Sequence, residues 1–548
     1  MQTLANQIAE IVDSLYAHKI EVILTRPDPQ FGDYATSVAL QLSKELSKNP
    51  REIAEQIALA LRNQATDVLA SVTVAGPGFI NLRLNDNALL QSLSFDALTS
   101  RKGESIVIET NNPNPFKAMH IGHAFNAILG DTIANLIEES SADIHRVSYH
   151  GDVGSHVGKS MYSLLSYVDG DIKKLETIPK NERNAFMSKM YAEGARAYKE
   201  NEQAKKEIDE LAKQSFTRED PLYSDVYDIC KAWSFEQIDE IVARLGNKPI
   251  EKRFLESEAD KRGVPIVRSN VPKVFQESDG ALIFPGSKFG SYDNVFVSAR
   301  GLGLYGARDL GLMQLKDEYC HPVKSYIVTA EEQRAYFNGV LAAADLCFPE
   351  MIGVTVNIST GTVKLPTGKM SSRSGDVVEI SWLFDQVAEA IRARGGVVED
   401  KFVSGVLRYQ FLKVRIGQDV VFDINDAASI DGNSGPYLQY AHARARSIMQ
   451  KSIVKMKDSI DALEADERLL IRKLTEYPEV LSRATAELAP HLICTYLYET
   501  AQQFNRFYEN NRVINDPREA ERLFIVSTYA EVLKSGLTLL GIHAPEKM

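Results

Sequence analysis

Residues 105–110 read SIVIET, a short β-branched run. A loop with two Asn-Pro pairs follows, and HAFNAILGDTIANLIEE then takes up helical spacing. A strand that passes through a loop into a helix is the opening unit of a nucleotide-binding α/β domain, and it restricts this chain more than any other feature. Phe125, Ile128, Leu129, Ile133, Leu136 and Ile137 fall on one side of the predicted helix, the side to be laid on a sheet. Four later runs, GVPIV, ALIFP, DNVFVS and SYIVTA, fit further strands of the same sheet.

With 548 residues the chain has room for roughly three to four domains of about 150 residues. Residues 1–88 read as a small α+β unit. Helical periodicity fills ANQIAEIVDSLYA and SKNPREIAEQIALALRN, and ASVTVAGPGFINLRL alternates around a Gly-Pro-Gly turn as a hairpin does. Residues 100–400 carry the α/β grammar, interrupted at about 160–255 by a highly charged helical insertion. Residues 401–548 are helical in pattern, with few strand-like runs.

Hydrophobic residues make up 44% and charged residues 25%, the balance of a globular protein, and no stretch approaches the ~20 apolar residues of a membrane span. The start, MQTLANQIAEIVDSLY, mixes acids and polar residues into its apolar positions, unlike a signal peptide. Four cysteines lie far apart with no CxxC pair, which disfavours a zinc ribbon or a disulfide framework and fits a reducing cytoplasm. A net charge of −12 argues against sequence-independent coating of nucleic acid, yet leaves room for a local basic groove.

The segment NNPNPFKAMHIGHAFNAILGD places His120 and His123 three residues apart around Ile121 and Gly122. Three readings stand side by side. A zinc site needs three or four ligands, and no Cys, His or Glu cluster nearby completes a set. A plain helix-start pair would only satisfy backbone groups. A phosphate-handling loop would use the free N–H groups and positive dipole of the helix start. In that reading Gly122 admits a base or ribose close to the backbone, two histidines donate as charge builds at phosphorus, and Lys117 adds a cation. GKMSSRSGDVV, after the predicted strand GTVKLP, is either an ordinary exposed loop or one that folds over a triphosphate. A P-loop is absent.

HIGH at His120–His123, followed some 250 residues later by KMSS-R at Lys369–Arg373, resembles the signature pair of class I aminoacyl-tRNA synthetases. FGDYATSVALQLSKELSKNPREIAEQI, ETNNPNPFKAMHIGH, LYGARDLGL, GPYLQYAHARARSI, YLYETAQQFNRFYENNRV and the terminal LGIHAPEKM narrow the resemblance to arginyl-tRNA synthetases. These stretches span nearly the whole chain, with the charged insertion least covered. The resemblance implies a class I Rossmann catalytic domain with a helical insertion, an N-terminal module for the tRNA elbow and an all-α anticodon-binding domain.

It further implies that L-arginine is activated with ATP, accompanied by Mg²⁺ and no dedicated protein metal site, and then joined to the 3′ end of tRNA(Arg). His120, Gly122 and His123 would bind ATP and stabilise its transition state. Lys369, Ser371, Ser372 and Arg373 would hold the leaving pyrophosphate. The general class pattern has a second lysine where Ser372 stands. Arginyl members often lack it and carry a lysine just before HIGH, which casts Lys117 as catalytic. Since a guanidinium rewards bidentate carboxylates, the family's arginine contacts fall on Glu109, Asn114, Tyr305 and Asp309, with a fifth on Asn338, where the surrounding residues depart from the pattern. Asp309 has a second reading, as a helix cap or partner of Arg308. HGDVGSHVG departs from the commoner G-D-W-G form at Val153.

For tRNA, the resemblance points to Tyr437, Tyr440, Arg444, Tyr508 and the terminal Met548 near the anticodon, and to Phe79 and Asn81 at the elbow. Aromatics of the last domain such as Tyr496, Phe504 and Phe507 read first as core. The family also implies a cytoplasmic monomer whose activation step needs tRNA. The rivals are a class I synthetase for another amino acid, a noncatalytic relative and an adenylyl transferase with another acceptor. A neutral or acidic substrate would not suit Glu109 with Asp309, and His120, His123 and Lys369 are all present.

Overall fold

A computed structural model describes residues 2–64, 67–93, 98–366, 378–457 and 460–548. At the N-terminus, β1 (Tyr34–Thr36), β2 (Leu69–Ala75) and β3 (Phe79–Leu84) form an antiparallel sheet in the order β1-β3-β2. The helices Gln2–Tyr16 and Pro50–Gln64 accompany it, and Ile8, Ile57, Leu61, Ile80 and Leu82 meet in the core. The predicted hairpin is β2–β3, paired from Ala75 with Phe79 back to Leu69 with Leu84.

The central sheet is parallel. Its strands are β4 (Ser105–Glu109), β5 (Asp143–His150), β6 (Lys252–Leu255), β10 (Lys324–Ala330) and β11 (Thr355–Thr360), in the order β11-β10-β4-β5-β6. Between β10 and β4 lie, in chain order, β7 (Gln276–Ser278), β8 (Ala281–Phe284) and β9 (Asn294–Val297), which make a separate antiparallel sheet. The winding reverses between β4 and β10, so a crevice is expected at their carboxyl ends.

Strand alternation divides the labour of the two faces. Ile106 and Ile108 of β4, with Tyr326 and Val328 of β10, pack in one core with Ile128 of the helix Ile121–Glu138. Val107 of β4, with Val147 and Tyr149 of β5, meets Leu312 of the helix Tyr305–Cys320 on the other face. Gly130 lets the first helix approach β4, since a Cβ there would lie 3.1 Å from the Thr110 Cα. The sequence placed one apolar stripe on this helix, but fourteen of its eighteen residues are buried. The C-terminal helices cover its outer side: Asn135 donates to the Leu539 carbonyl at 3.1 Å and Thr485 to the Leu136 carbonyl at 3.2 Å.

Of the four later strand expectations, SYIVTA is β10. ALIFP and DNVFVS form β8 and β9, outside the parallel sheet. GVPIV is not a strand but part of the helix Glu256–Ser269, Pro265 included. A tertiary contact explains it. A Cβ on Gly263 would lie 1.8 Å from the Ala307 carbonyl oxygen, and one on Gly311 2.0 Å from that of Ala259. Two helices pressed together at paired glycines override the β-leaning residues between them. The predicted strand GTVKLP shrinks to Val363–Lys364, paired with Val420–Val421.

The charged insertion has its own core. Val157, Met161, Leu164, Tyr223, Tyr227 and Trp233 gather from the helices Ser155–Val168 and Pro221–Arg244, and Phe116 of the Asn-Pro loop joins them. The insertion ends before the expected residue 255, because Lys252–Leu255 is the edge strand β6. The last part of the chain is helical, as its pattern required, from Asp400–Leu412 to Glu519–Leu539. Tyr496, Phe504 and Phe507 lie in its core.

Candidate active site

His120 immediately precedes the helix Ile121–Glu138 at the carboxyl end of β4. Its ring stacks on that of His123, centroids 3.6 Å apart, and its backbone N–H donates to His123 Nδ1 at 3.2 Å. His123 therefore carries its proton on Nε2. Burial, with Lys117 nearby, lowers the His120 pKa to about 4; burial also holds His123 well below the usual range, with His120 and Lys117 adding to it. Both rings are neutral donors at neutral pH. A Cβ on Gly122 would sit 3.1 Å from His120 Nδ1, so the glycine makes room for the His120 ring itself, where the sequence reading expected a base or ribose.

Lys369, Ser371, Ser372 and Arg373 lie outside the described residues. The chain that follows them is pinned to the histidine loop. Ile121 N–H donates to the Val378 carbonyl at 3.0 Å, and Ile380 N–H to the Met119 carbonyl at 3.1 Å. The histidine loop is thus tied to Val378–Ile380, more than 250 residues further along the chain, by a short antiparallel bridge at His120 and Glu379.

Phe116 sits at φ +64°, a left-handed backbone that a non-glycine residue adopts only under constraint. Its N–H donates to Ser234 Oγ at 3.0 Å and its carbonyl accepts from Ser160 Oγ at 2.9 Å, both from the insertion. This grip sets Lys117 on the rim of a cleft of about 410 Å³ that it shares with Asn114, Gly154, His156, Lys159 and Tyr305. Burial and the neighbouring Lys159 lower the Lys117 pKa.

Deeper in, β4, β5 and the helix Tyr305–Cys320 enclose three carboxylates. Glu109, at the end of β4, is buried and ion-paired with Lys316. Glu256 pairs with Arg308 at 2.8 Å, and Arg308 also reaches Asp260 at 3.3 Å. Asp309 receives a hydrogen bond from the Tyr336 hydroxyl and has no ion pair among the described residues. Burial raises its pKa to about 7; the Tyr336 hydrogen bond opposes this, while the charges of Glu109 and Glu256 reinforce it. Arg308 is thus held by two other acids, and Asp309 is the carboxylate left open to a cation.

Asparagines fasten the two loops around this pocket. Asn112 accepts from the Tyr149 N–H at 2.9 Å and donates to Glu109 at 2.5 Å, while Asn114 accepts from the Gly151 N–H at 3.0 Å. A Cβ on Gly151 would come within 2.9 Å of Asn114 Oδ1 and 3.0 Å of Glu256 Oε1, so a side chain there would push both of these polar tips aside. His150, fully buried, ties Pro113 to Ser148 through its two ring nitrogens, at 2.6 and 2.8 Å.

Of the residues expected to meet arginine, Glu109 and Asp309 belong to this buried cluster, while Asn114 and Tyr305, the latter 68% exposed, line the adjoining cleft with Arg308. Asn338 is exposed on the helix Arg334–Cys347, and Tyr336, two residues earlier, is the one that turns toward Asp309. The sequence reading missed Tyr149, Glu256, Lys316 and Tyr336. Lys316 had a signal, since it stands seven residues after Asp309, two turns along the same helix face.

At the tRNA positions, Phe79 is exposed but Asn81 is buried within the N-terminal sheet, paired on both sides by β1 and β2, so its side chain does not share the exposed surface expected for it. Tyr440 is exposed, as is Met548. Tyr437 accepts from Asn505 at 2.9 Å, and the Arg444 guanidinium lies 4.6 Å from the centre of the Tyr508 ring.

The features so far define a nucleotide-activating α/β domain flanked by two smaller modules. Residues 85–407, more than half of the chain, match the family model described as tRNA synthetases class I (R), catalytic domain. Residues 2–84 match the arginyl tRNA synthetase N terminal domain, and residues 438–548 the DALR anticodon binding domain. The chain is 30% identical to an arginine–tRNA ligase of Salinibacter ruber, covering 100% of this chain and 99% of that one. It is 28% identical to that of Pyrococcus furiosus, with 100% of both chains covered. Its fold matches the Thermus thermophilus arginyl-tRNA synthetase at a TM-score of 0.81 over the whole of both chains, at 23% identity. The chain belongs to the arginyl-tRNA synthetase family.

Proposed function

We propose that this chain is an ATP-dependent arginine–tRNA ligase that works in two steps at the carboxyl end of its parallel sheet. The arginine carboxylate attacks the α-phosphorus of ATP, the bond to the bridging oxygen breaks, and pyrophosphate leaves. The 3′ end of tRNA(Arg) then takes the arginyl group from the adenylate. Positioning and charge neutralisation carry most of such a reaction.

The observation that carries the substrate assignment is the pocket of three carboxylates, two already paired with internal cations and Asp309 left without one. A guanidinium supplies the missing positive charge and enough N–H groups for Asp309, Asn114 and the Glu109 edge. A class I synthetase for a neutral side chain would gain nothing from that charge.

His120 and His123 donate to the phosphates as neutral imidazoles. Lys117 faces the triphosphate from the insertion side and stands in for the second lysine absent at Ser372. Lys369, Ser371, Ser372 and Arg373 hold the pyrophosphate, a role supported by the pairing of Val378–Ile380 with the histidine loop. Mg²⁺ accompanies ATP on its phosphates.

Tyr440, Tyr437, Arg444, Tyr508 and Met548 are proposed to meet the anticodon arm, and Phe79 the elbow, where an exposed ring suits an unstacked base. From the family, the chain is proposed to act as a monomer. Four free cysteines favour the cytoplasm, and no helix among the described residues is long and apolar enough to cross a membrane.

ATP–pyrophosphate exchange with each of the twenty amino acids, with and without total tRNA, tests this reading. Exchange confined to arginine is expected, and from the family it should require tRNA. Exchange with another amino acid, or none from folded protein, overturns the assignment.

A further inference from the structure

Tyr149, the penultimate residue of β5, lies on the face that also carries Glu109, because its neighbours Ser148 and His150 turn to the opposite side and bond to each other. Its backbone is fixed by Asn112, and its ring packs beside Val147 and Leu312. The hydroxyl at the end of this anchored ring is buried and has no hydrogen-bond partner among the described residues. A buried phenol oxygen without a partner is uncommon and calls for an explanation.

Its surroundings supply one. Burial holds the phenol protonated, and the carboxylates of Asp309 and Glu256 reinforce this. Each nearby carboxylate already has one oxygen engaged elsewhere, Glu109 with Lys316, Glu256 with Arg308 and Asp309 with Tyr336, and the Tyr149 hydroxyl bonds to none of them. A hydroxyl in that state keeps its lone pairs for a donor that arrives from outside. A guanidinium offers five N–H groups in one plane, more than a single carboxylate can take.

Resting on the proposed arginine-specific reading, we infer that Tyr149 is a substrate-binding residue whose hydroxyl accepts an N–H of the arginine guanidinium alongside the Asp309 carboxylate. The group left unsatisfied in the free protein is satisfied by the substrate. Tyr149 thereby favours a planar cation with several donors over a compact ammonium.

The test is Tyr149→Phe in the full-length protein, read by arginine KM, kcat and thermal midpoint in tRNA aminoacylation buffer. A hydrogen bond to a charged group corresponds to roughly ten- to a hundred-fold in affinity. The expected result is an arginine KM raised by about that factor, kcat within about threefold of the parent, and a midpoint equal to or above the parent's. ATP KM should stay put. An unchanged arginine KM overturns the inference. So does a lowered midpoint with KM and kcat both impaired, which would make the hydroxyl a structural group. If the parent protein itself charges no arginine, the functional reading fails, and the two failures are thus told apart.

Discussion

Two buried sets of charges in this molecule are built to opposite rules. Arg408, wholly buried, pairs with Asp131 at 2.7 Å. It also donates to Leu540 O at 2.6 Å, Leu245 O at 3.1 Å, Asn247 Oδ1 at 2.7 Å and Thr132 Oγ1 at 3.1 Å. That one guanidinium joins the histidine-bearing helix, the exit of the insertion and the C-terminal turn, with its donors saturated. Around Asp309, Glu109 is paired with Lys316 and Glu256 shares Arg308 with Asp260, while Asp309 has no ion pair and the Tyr149 hydroxyl no hydrogen-bond partner among the described residues. A buried charge is tolerated only when paired and hydrogen-bonded. The first set satisfies its own donors and acceptors; the second leaves Asp309 without a cation among the described residues, which is the basis for proposing it as the guanidinium contact.

The largest effect expected from this contrast is on Arg408. Removing one partner of a saturated buried pair typically costs about 3–5 kcal/mol, so Arg408→Ala should show a far lower urea midpoint and lose arginine and ATP turnover together. A variant of parental stability would deny Arg408 its structural part. Asp309→Asn should do the reverse. Its arginine KM should rise on the order of 100-fold, as for other truncated buried charge contacts, while stability holds or improves because a carboxyl without a cation has been neutralised.

A third expectation sharpens the same difference through pH. The Asp309 carboxyl, raised to about 7, keeps its proton below that pH, and a guanidinium cation binds the ionised form. For stability the sign is opposite: a raised carboxyl favours the folded state below its unfolded value of 3.8, and that contribution is lost as pH climbs toward 7. For kcat/KM on arginine, activity should therefore fall about tenfold per pH unit below 7 and level off above it. His120, at about 4, does not titrate in that interval. Asp309→Asn should flatten the profile between pH 5.5 and 7.

Local patterns made much of this legible in the sequence. The β4–loop–helix unit, the hairpin β2–β3 and the helical last domain follow from period-two and period-3.6 runs with their turns. The residues that decide the site are a different matter. Glu256 and Arg308 meet because Gly263 and Gly311 let two helices touch, a contact no local window contains. β6 has only four residues and borrows its order from β5. Tyr149 looked like any strand aromatic until its hydroxyl proved to be without a partner. Asn338, two residues beyond Tyr336, lies roughly 200° around the helix from it and so points away from Asp309. The segment reads in the sequence as a charged helical insertion, and only the fold shows that Phe116 plugs into its core and so fixes the backbone next to Lys117.

The smallest effect is also the most direct test of the central claim that Asp309 is the charge left open for a guanidinium. Thermal midpoints of the parent and of Asp309→Asn would be measured with L-arginine and with L-citrulline, its uncharged near-isostere. A ligand at about 100 times its Kd stabilises by roughly 2.7 kcal/mol. The account predicts that arginine raises the parent's midpoint, that citrulline does not, and that neither shifts the variant. An equal rise with citrulline, or with arginine in Asp309→Asn, would contradict it.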